Sequence, residues 1–404
     1  MRKGIIELVK SYASLATTSI LVFPLPCTDE LQEEIIEQLI SSKHFQTYPP
    51  APSYQRLFWK WLIKCIEDLG EEVNEAIYSH YLSLPSSSNS ALTSCAPPPP
   101  SYVTYFWQSN TNHDGSSGAL DYQQENCLEK YNKCTLFESR TTIESGTTGF
   151  RTWSASFTLA EHLISKKESL GRSQIIELGS GIGFLGIVVA RLQIESLNSS
   201  SILPSNNPDE LPSLYLTDLN ERVLSRCEDN CNLPCNNLSP HPNIRFKSLD
   251  WSDANDESRQ SEVLDFLEEA NADLFLGADL IYDSSIIPSL VSMLALALRS
   301  SYPRPSASST SSSPTSSSSS TSPSSLSTSN KKHRRCLLAA TLRNENTLAE
   351  FIQEADTRGL RVEEVRTSDT ELSQFSGSLL DRIGEKGSQV KILNVVHAEG
   401  ERSE

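Results

Sequence analysis

Residues 174–186 read QIIELGSGIGFLG and predict a buried strand that runs through a glycine-rich turn into a helix. In this turn Gly179, Gly181 and Gly183 carry no side chain, so the backbone can bend sharply and approach a ligand. The stretch also satisfies G-x-G-x-x-G through Gly181, Gly183 and Gly186, the fingerprint of dinucleotide-binding domains. Taken alone, the turn could bind the nicotinamide cofactor of a dehydrogenase or another cofactor held by a similar sheet. It could also be a purely structural turn.

Strand and helix patterns alternate around this turn. Helices are predicted over 152–167, 221–233, 285–298 and 344–359. The remaining predicted strands are LYLTDL (214–219), IRFKSLDW (244–251), LFLGADLIYD (274–283), CLLAATLR (336–343), RVEEVRTS (361–368) and VKILNVVH (390–397). This order of elements predicts an α/β fold with a doubly wound parallel sheet.

The 404 residues exceed one typical domain, and their composition changes along the chain. Residues 1–84 predict a small helical module with helices over 28–42, 53–69 and 71–84. Residues 85–100 form a Ser/Pro linker, and 101–150 form a β-strand extension that includes 134–145. Residues 151–404 contain the α/β domain, with an inserted loop at 197–213 and a Ser-rich insertion at 300–333 that we expect to be disordered.

The formal net charge of −17 argues against nucleic acid as a partner, because binders of phosphate backbones cluster Lys and Arg. A basic protein partner fits better. The N-terminus is a poor signal peptide, and no run approaches 18 uncharged apolar residues, so we expect a cytoplasmic protein with no membrane span. No feature signals oligomerisation, and we expect a monomer.

The nine cysteines show no paired CxxC spacing, which favours a reducing compartment. Cys227, Cys231 and Cys235 form C-x3-C-x3-C, which could ligate an iron–sulfur cluster. The spacing also fits one face of a single helix, and we interpret the three as helix packing with no metal site.

Acidic and aromatic residues follow the predicted strands. Asp218 ends the second strand of the domain, where a carboxylate can accept hydrogen bonds from both ribose hydroxyls of an adenosine cofactor. Asp250 and Trp251 end the third strand and suit an adenine amine and ring, although a helix cap and a core indole explain them as well. The fourth strand ends in Asp279-x-x-Tyr282, at the edge where substrates bind in open α/β sheets, unless Asp279 caps the next helix. None of the seven histidines is placed as the proton relay of a dehydrogenase.

With these residues in hand, the chain resembles the class I, seven-strand S-adenosylmethionine-dependent methyltransferases. Within them it resembles the protein-lysine methyltransferases marked by D-x-x-Y, and most of all those acting on eukaryotic elongation factor 2. The likeness covers roughly residues 45–80, through PPAPSYQRLFWKWLIK, and 141–395, through SGTTGFRTWSASFTLAEHL. It implies a seven-strand Rossmann-like methyltransferase sheet with a small N-terminal helical module, S-adenosyl-L-methionine as cofactor, and elongation factor 2 as protein substrate.

The resemblance also implies roles for individual residues. By family analogy the cofactor would be contacted by Trp153, Glu177, Gly179, Gly181, Asp218 and Trp251. From their places in the turn and at the strand ends, we also expect Gly183, Asp250 and Ala278 to contact it. Asp279 and Tyr282 would line the lysine channel. Because a nearby carboxylate favours the ammonium form of lysine, we further expect Asp279 to capture and orient the lysine, Tyr282 to close the channel and a water to take the proton. One departure stands out: the family has an acidic residue after the tryptophan, and this chain has Ser154.

Overall fold

A computed structural model describes residues 2–85, 97–108, 128–199, 211–299, 333–366, 375 and 389–398. Most of the linker, residues 109–127 of the β-strand extension, most of the loop at 197–213 and residues 300–332 of the Ser-rich insertion lie outside these residues. The strands are β1 Ser101–Trp107, β2 Asn132–Glu138, β3 Gln174–Leu178, β4 Ser213–Asp218, β5 Ile244–Ser248, β6 Leu274–Ala278, β7 Arg335–Thr341, β8 Leu360–Val365 and β9 Val390–His397. The helices are α1 Lys3–Ala13, α2 Asp29–Ile35, α3 Lys43–Thr47, α4 Pro52–Asp68, α5 Glu75–Ser83, α6 Ser154–Ser165, α7 Phe184–Ser199, α8 Glu221–Cys231, α9 Gln260–Ala270, α10 Ile287–Ala297 and α11 Glu345–Thr357.

Seven strands form one sheet in the order β5-β4-β3-β6-β7-β9-β8. The strands from β5 to β7 pair in parallel, whereas β9 is inserted antiparallel between β7 and β8. The predicted doubly wound sheet is therefore confirmed, with one antiparallel strand that the element order alone did not predict. A six-strand dinucleotide-binding sheet has the order 3-2-1-4-5-6, so the inserted seventh strand separates this sheet from that class.

Alternating side chains of the central strands build a core on each face of the sheet. In β3, Ile175 belongs to the core that contains α6, α7 and α8, and Ile176 to the core that contains α9, α10 and α11. Leu276 and Phe275 of β6 divide in the same way. With apolar groups buried on both faces, the central strands are fixed in register, and their carboxyl ends meet at one edge.

The first core continues into the N-terminal helices and the β1–β2 hairpin. It includes Ile5 of α1, Trp59 of α4 and Trp107 of β1, all buried completely, beside Phe157 of α6. Thr28 caps α2 by accepting a hydrogen bond from the Leu31 N–H, as its position before an acidic turn predicts. The helices and the α/β domain therefore share one continuous apolar core, and the domain boundaries at 84, 100 and 150 stay a prediction.

Several predicted elements need correction. The third N-terminal helix begins at Glu75 and not at 71, because Asn74 caps it. The second strand of the extension ends at Glu138, and helices α1, α3 and α9 were not predicted. Cys227 and Cys231 lie on α8, but Cys235 lies in the 3-10 turn Pro234–Asn236, so the three cysteines do not share one helix.

Within the described ranges, no cluster of three or more His, Cys, Asp or Glu side chains could hold a metal ion. In the same part of the chain, no helix has the length and apolar character needed to cross a membrane. The cytoplasmic location and the monomeric state stay predictions.

Candidate active site

A cavity of about 760 Å³ opens at the carboxyl edge of the central strands, within the size range of small-molecule sites. Nine of the predicted cofactor and substrate residues line it together: Trp153, Glu177, Gly179, Gly181, Asp218, Asp250, Trp251, Ala278 and Asp279. Tyr282 lines it as well, with 55% of the residue exposed. The strand ends therefore converge on one space, as expected for parallel neighbours.

The glycine turn forms the floor of this cavity. Gly179 and Gly181 have φ angles of +62° and +52°, a backbone region that favours glycine. A Cβ on Gly179 would lie 2.7 Å from Leu280 Cδ2, and one on Gly181 would lie 3.1 Å from the Gly149 carbonyl oxygen. The Ser180 N–H donates to the Thr217 carbonyl at 2.8 Å, which fixes the turn to β4. A side chain would obstruct both positions.

Gly183 has a different environment from the other two glycines. Its φ is +95°, and a Cβ there would lie 2.8 Å from Cys227 Sγ of α8. It is absent from the cavity lining. The structure therefore places Gly183 where α7 begins to pack against α8, and its predicted cofactor contact stays a prediction.

Glu177 is buried beneath the turn. Burial, together with the negative charge of Asp218, raises the pKa of its carboxyl to about 8. Among the described residues, its Oε2 has no hydrogen-bond partner although it is fully buried. Such an atom at the floor of a cavity fits a ligand that brings a donor or a positive charge, such as the ammonium of S-adenosylmethionine. A pyrophosphate would bring only acceptors there.

Asp218 is held by backbone amides. Its Oδ2 accepts from the Gly181 N–H at 3.2 Å, and its Oδ1 accepts from the Asn220 N–H at 2.9 Å. Burial raises the pKa of this carboxyl, while these backbone hydrogen bonds lower it. Each carboxylate oxygen can accept a second hydrogen bond, so the group fits the two hydroxyls of a ribose.

Asp250 and Trp251 have structural roles and also line the cavity, so both alternatives considered for them apply. Asp250 Oδ1 accepts from the Ser252 N–H at 2.8 Å and the Ser252 hydroxyl at 2.7 Å, so it caps the 3-10 turn Trp251–Asn255. Trp251 is half-buried against the second core. Both residues still line the cavity, where an indole face and the Oδ2 atom fit an adenine ring and its amine.

Asp279 lies at the end of β6 in a left-handed conformation, with φ +59°. Its Oδ1 accepts from the Thr341 N–H at 3.2 Å and from Arg343 Nη1 at 3.0 Å, and its Oδ2 accepts from Arg343 Nη2 at 2.8 Å. Asp283, and not Asp279, caps the following turn. The helix-cap alternative for Asp279 is therefore wrong, and a non-glycine residue at positive φ is held in place by bonds to the end of β7.

Arg343 is a residue of this site that the sequence analysis did not identify. Its guanidinium forms the bidentate pair with Asp279, lies 5.4 Å from the centroid of the Trp153 ring and lines the cavity. The available signal was its place two residues after β7, at the edge where the other strands end. Ser154, which replaces the family's acidic residue, is buried in the first turn of α6 and does not line the cavity.

The sequence is similar to those of lysine methyltransferases. A family described as lysine methyltransferase matches residues 136–302, which contain the glycine turn and the ends of β4, β5 and β6. The chain is 27% identical to protein-lysine N-methyltransferase EFM3 of Chaetomium thermophilum over 66% of this chain and 70% of that protein. It is 25% identical to protein-lysine N-methyltransferase EEF2KMT of Mus musculus over 84% of this chain and 79% of that protein. A TehB-like SAM-dependent methyltransferase structure from Corynebacterium glutamicum aligns with a TM-score of 0.29 at 12% identity, covering 60% of this chain and 97% of that one.

Proposed function

We propose that this chain, which belongs to the S-adenosylmethionine-dependent protein-lysine methyltransferases, methylates a lysine side chain of translation elongation factor 2. The observation that carries the proposal is the arrangement of the cavity. Glu177, Asp218 and Trp251 lie on the β3–β5 side, and Asp279 and Tyr282 lie on the β6 side. One space can therefore receive a cofactor from one side and a side chain from the other.

Two features support elongation factor 2 as the substrate. The likeness to the enzymes that act on it includes α4 as well as the α/β domain, and the match to EEF2KMT of Mus musculus covers 84% of the chain. The net charge of −17 favours a partner with exposed basic groups, because complementary charge increases the rate of encounter.

The cofactor, when bound, supplies an electrophilic methyl group on a sulfonium. Asp218 would accept hydrogen bonds from the ribose, Glu177 Oε2 would receive the cofactor's ammonium, and Trp251 would pack on the adenine. Asp279, on the β6 side of the same cavity, would orient the lysine nitrogen for in-line attack on this methyl group. Tyr282, half-exposed at the rim, would cover the aliphatic part of the lysine and exclude water.

The lysine must react as an amine. Removing its proton at pH 7 costs about 4.6 kcal/mol for a lysine of ordinary pKa. Desolvation in the cavity and the positive charge of the sulfonium both reduce this cost. The chain therefore needs to position and desolvate the amine, and a water can accept the proton.

The test is incubation of the full chain with purified elongation factor 2 and S-adenosylmethionine labelled in the methyl group, followed by mapping of the labelled residue. We expect label on one lysine, and none when elongation factor 2 is replaced by a basic protein such as lysozyme. Calorimetry should detect binding of S-adenosylhomocysteine and no binding of NAD. Label in a different protein of a translation extract, with none in elongation factor 2, would refute this substrate.

A further inference from the structure

The Arg343 guanidinium lies between two residues of the cavity wall. It binds Asp279 through both terminal nitrogens, at 3.0 and 2.8 Å, and Trp153 lies on its other side. The Asp279 side chain is only 4% exposed, whereas 35% of the Arg343 side chain is exposed. Bidentate geometry of this kind fixes both groups, so the pair forms a rigid part of the wall on the β6 side.

The hydrogen bonds of Asp279 determine what it can still offer a ligand. An ionised carboxylate has about four acceptor positions. Thr341 and Arg343 occupy three of them, which leaves one on Oδ2. Because the guanidinium balances the carboxylate charge, an incoming lysine meets an acceptor atom that belongs to a neutral pair.

Other charged and titratable groups face the same cavity from each neighbouring element. They are Glu177 of β3, Asp218 of β4, Asp250 after β5, Tyr282 after β6 and Arg151 before α6. The carboxyl groups of Glu177, Asp218 and Asp250 all line the side assigned to the cofactor, which itself carries positive charge. On the β6 side, Asp279 and Arg343 form an ion pair, and Arg151 adds a positive charge to the cavity wall before α6.

We infer that Arg343 is a positioning residue that makes Asp279 accept the substrate lysine as a neutral amine. This inference rests on the proposed lysine methyl transfer. An unpaired carboxylate close to the lysine would favour its ammonium form and raise its pKa by about 1–3 units. A carboxylate paired with a guanidinium accepts one hydrogen bond from the amine without this effect.

The transfer step then balances without a catalytic base. The lone pair of the lysine nitrogen forms the bond to the methyl carbon, and the electron pair of the sulfur–methyl bond goes to sulfur. The nitrogen keeps both hydrogens and takes the positive charge that the sulfur loses. Its extra proton passes to water afterwards, before any second transfer.

The first arm of the test measures kcat against pH for methyl transfer to elongation factor 2. Arg343→Gln should move the midpoint of the acid limb upward by about 1–3 pH units and lower kcat at pH 7 by at least about tenfold. Asp279→Asn combined with Arg343→Gln should return the midpoint to the parent value, and Arg343→Lys should keep it there. Arg245→Gln is the matched control, because Arg245 forms a 2.8 Å pair with Glu269 outside the cavity lining.

Two results of this arm would overturn the inference. One is an Arg343→Gln variant whose acid-limb midpoint is unchanged. A kcat that falls by the same factor at every pH belongs to this result, because loss of structural support alone would lower kcat without moving the midpoint. The other is a double variant whose midpoint stays with that of Arg343→Gln. S-adenosylhomocysteine affinity establishes that each variant is folded. If Arg343→Gln does not fold, Arg343→Lys still tests the inference, because an acid-limb midpoint more than about 1 pH unit above the parent's would contradict it.

The second arm does not depend on the protein substrate. The complex with S-adenosylhomocysteine is titrated with ¹⁵N-labelled n-butylamine, and the nitrogen chemical shift reports the pKa of the bound amine. We expect a lower pKa in the parent than in Arg343→Gln. Equal pKa values, or no uptake of butylamine at any pH, would contradict the inference. If elongation factor 2 accepts no methyl group, the proposed substrate fails while this arm still decides the role of Arg343.

Discussion

The carboxyl groups at the ends of β3 and β4 and the one at the end of β6 lie along one edge of the sheet, but they are held in opposite ways. Asp218 receives only backbone N–H groups, and Glu177 keeps one buried oxygen without a partner among the described residues. Asp279 is bound by a guanidinium. A positively charged cofactor fits the first pair, because its positive charge would stabilise the ionised carboxyl of Asp218 and favour release of the proton that buried Glu177 holds. The pair of Asp279 and Arg343 is already neutral, and it fits a lysine substrate that must lose its proton before it reacts.

The largest expected effect concerns the stability cost of Glu177. Its folded-state pKa of about 8 lies above the value of 4.5 expected in the unfolded chain, so the folded protein holds a proton that the unfolded chain releases between these values. Folding stability contributed by this group is therefore lost as pH rises from 4.5 to 8. Relative to the parent, Glu177→Gln should gain about 4 kcal/mol in unfolding free energy across this window, measured by urea unfolding at a series of pH values.

The control for Glu177 is Glu228→Gln, on the exposed face of α8. Its stability relative to the parent should not change between pH 4.5 and 8. A Glu177→Gln variant that behaves like this control would mean that Glu177 is already ionised in the folded protein. Glu177 would then have to be stabilised by groups other than the cofactor, and it could no longer be contrasted with the paired Asp279.

The next largest effect is expected for Asp218→Ala. Two hydrogen bonds from ribose hydroxyls to a charged group would be lost, so the affinity for S-adenosylhomocysteine should fall about 100-fold, or about 3 kcal/mol. Calorimetry measures this change directly. Asp229→Ala, at an exposed position of α8, should bind like the parent. If Asp218→Ala bound S-adenosylhomocysteine normally, the ribose contact would have to be assigned elsewhere.

Most of the site could be predicted because parallel strands bring their carboxyl ends together. Asp218 and Asp279 end or follow mainly apolar strands, and Asp250 follows the mixed strand IRFKS, so the order of strands predicted that they would converge. The pair between Arg343 and Asp279 could not be predicted in this way. The two residues are 64 positions apart, the Ser-rich insertion lies between them, and the contact needs Asp279 at a positive φ.

Other differences have local causes. The three glycines of the turn look alike in sequence. At Gly183, however, a side chain would collide with the Cys227 sulfur of α8, and no spacing rule predicts this contact. In helix α9, Val263, Phe266, Leu267 and Ala270 recur at helical spacing and are buried, so the sequence contains a local signal for this helix. The environment of Gly183, in contrast, depends on tertiary packing.

A smaller effect is expected for Asp279→Asn on the β6 side. The amide oxygen can still accept hydrogen bonds from Thr341 and Arg343, but the charge of Arg343 is no longer balanced. Capture of a lysine should weaken, so kcat/KM for the protein substrate should fall about tenfold, or about 1.4 kcal/mol. S-adenosylhomocysteine affinity should not change, in contrast to Asp218→Ala. An unchanged kcat/KM would show that Asp279 does not orient the lysine.

The smallest effect concerns Ser154, which follows Trp153 where the family has an acidic residue. Its hydroxyl is buried and has no hydrogen-bond partner among the described residues, and it lies in the first turn of α6. Ser154→Ala should therefore stabilise the fold by about 0.5–1 kcal/mol, because the unpaired polar group is removed and alanine favours the helix. Thermal unfolding measures the gain, and kcat/KM should stay within about twofold of the parent. A large loss of cofactor affinity would instead show that the hydroxyl takes over the contact of the missing carboxylate, and the Trp153 side would then also bind the cofactor through a polar group.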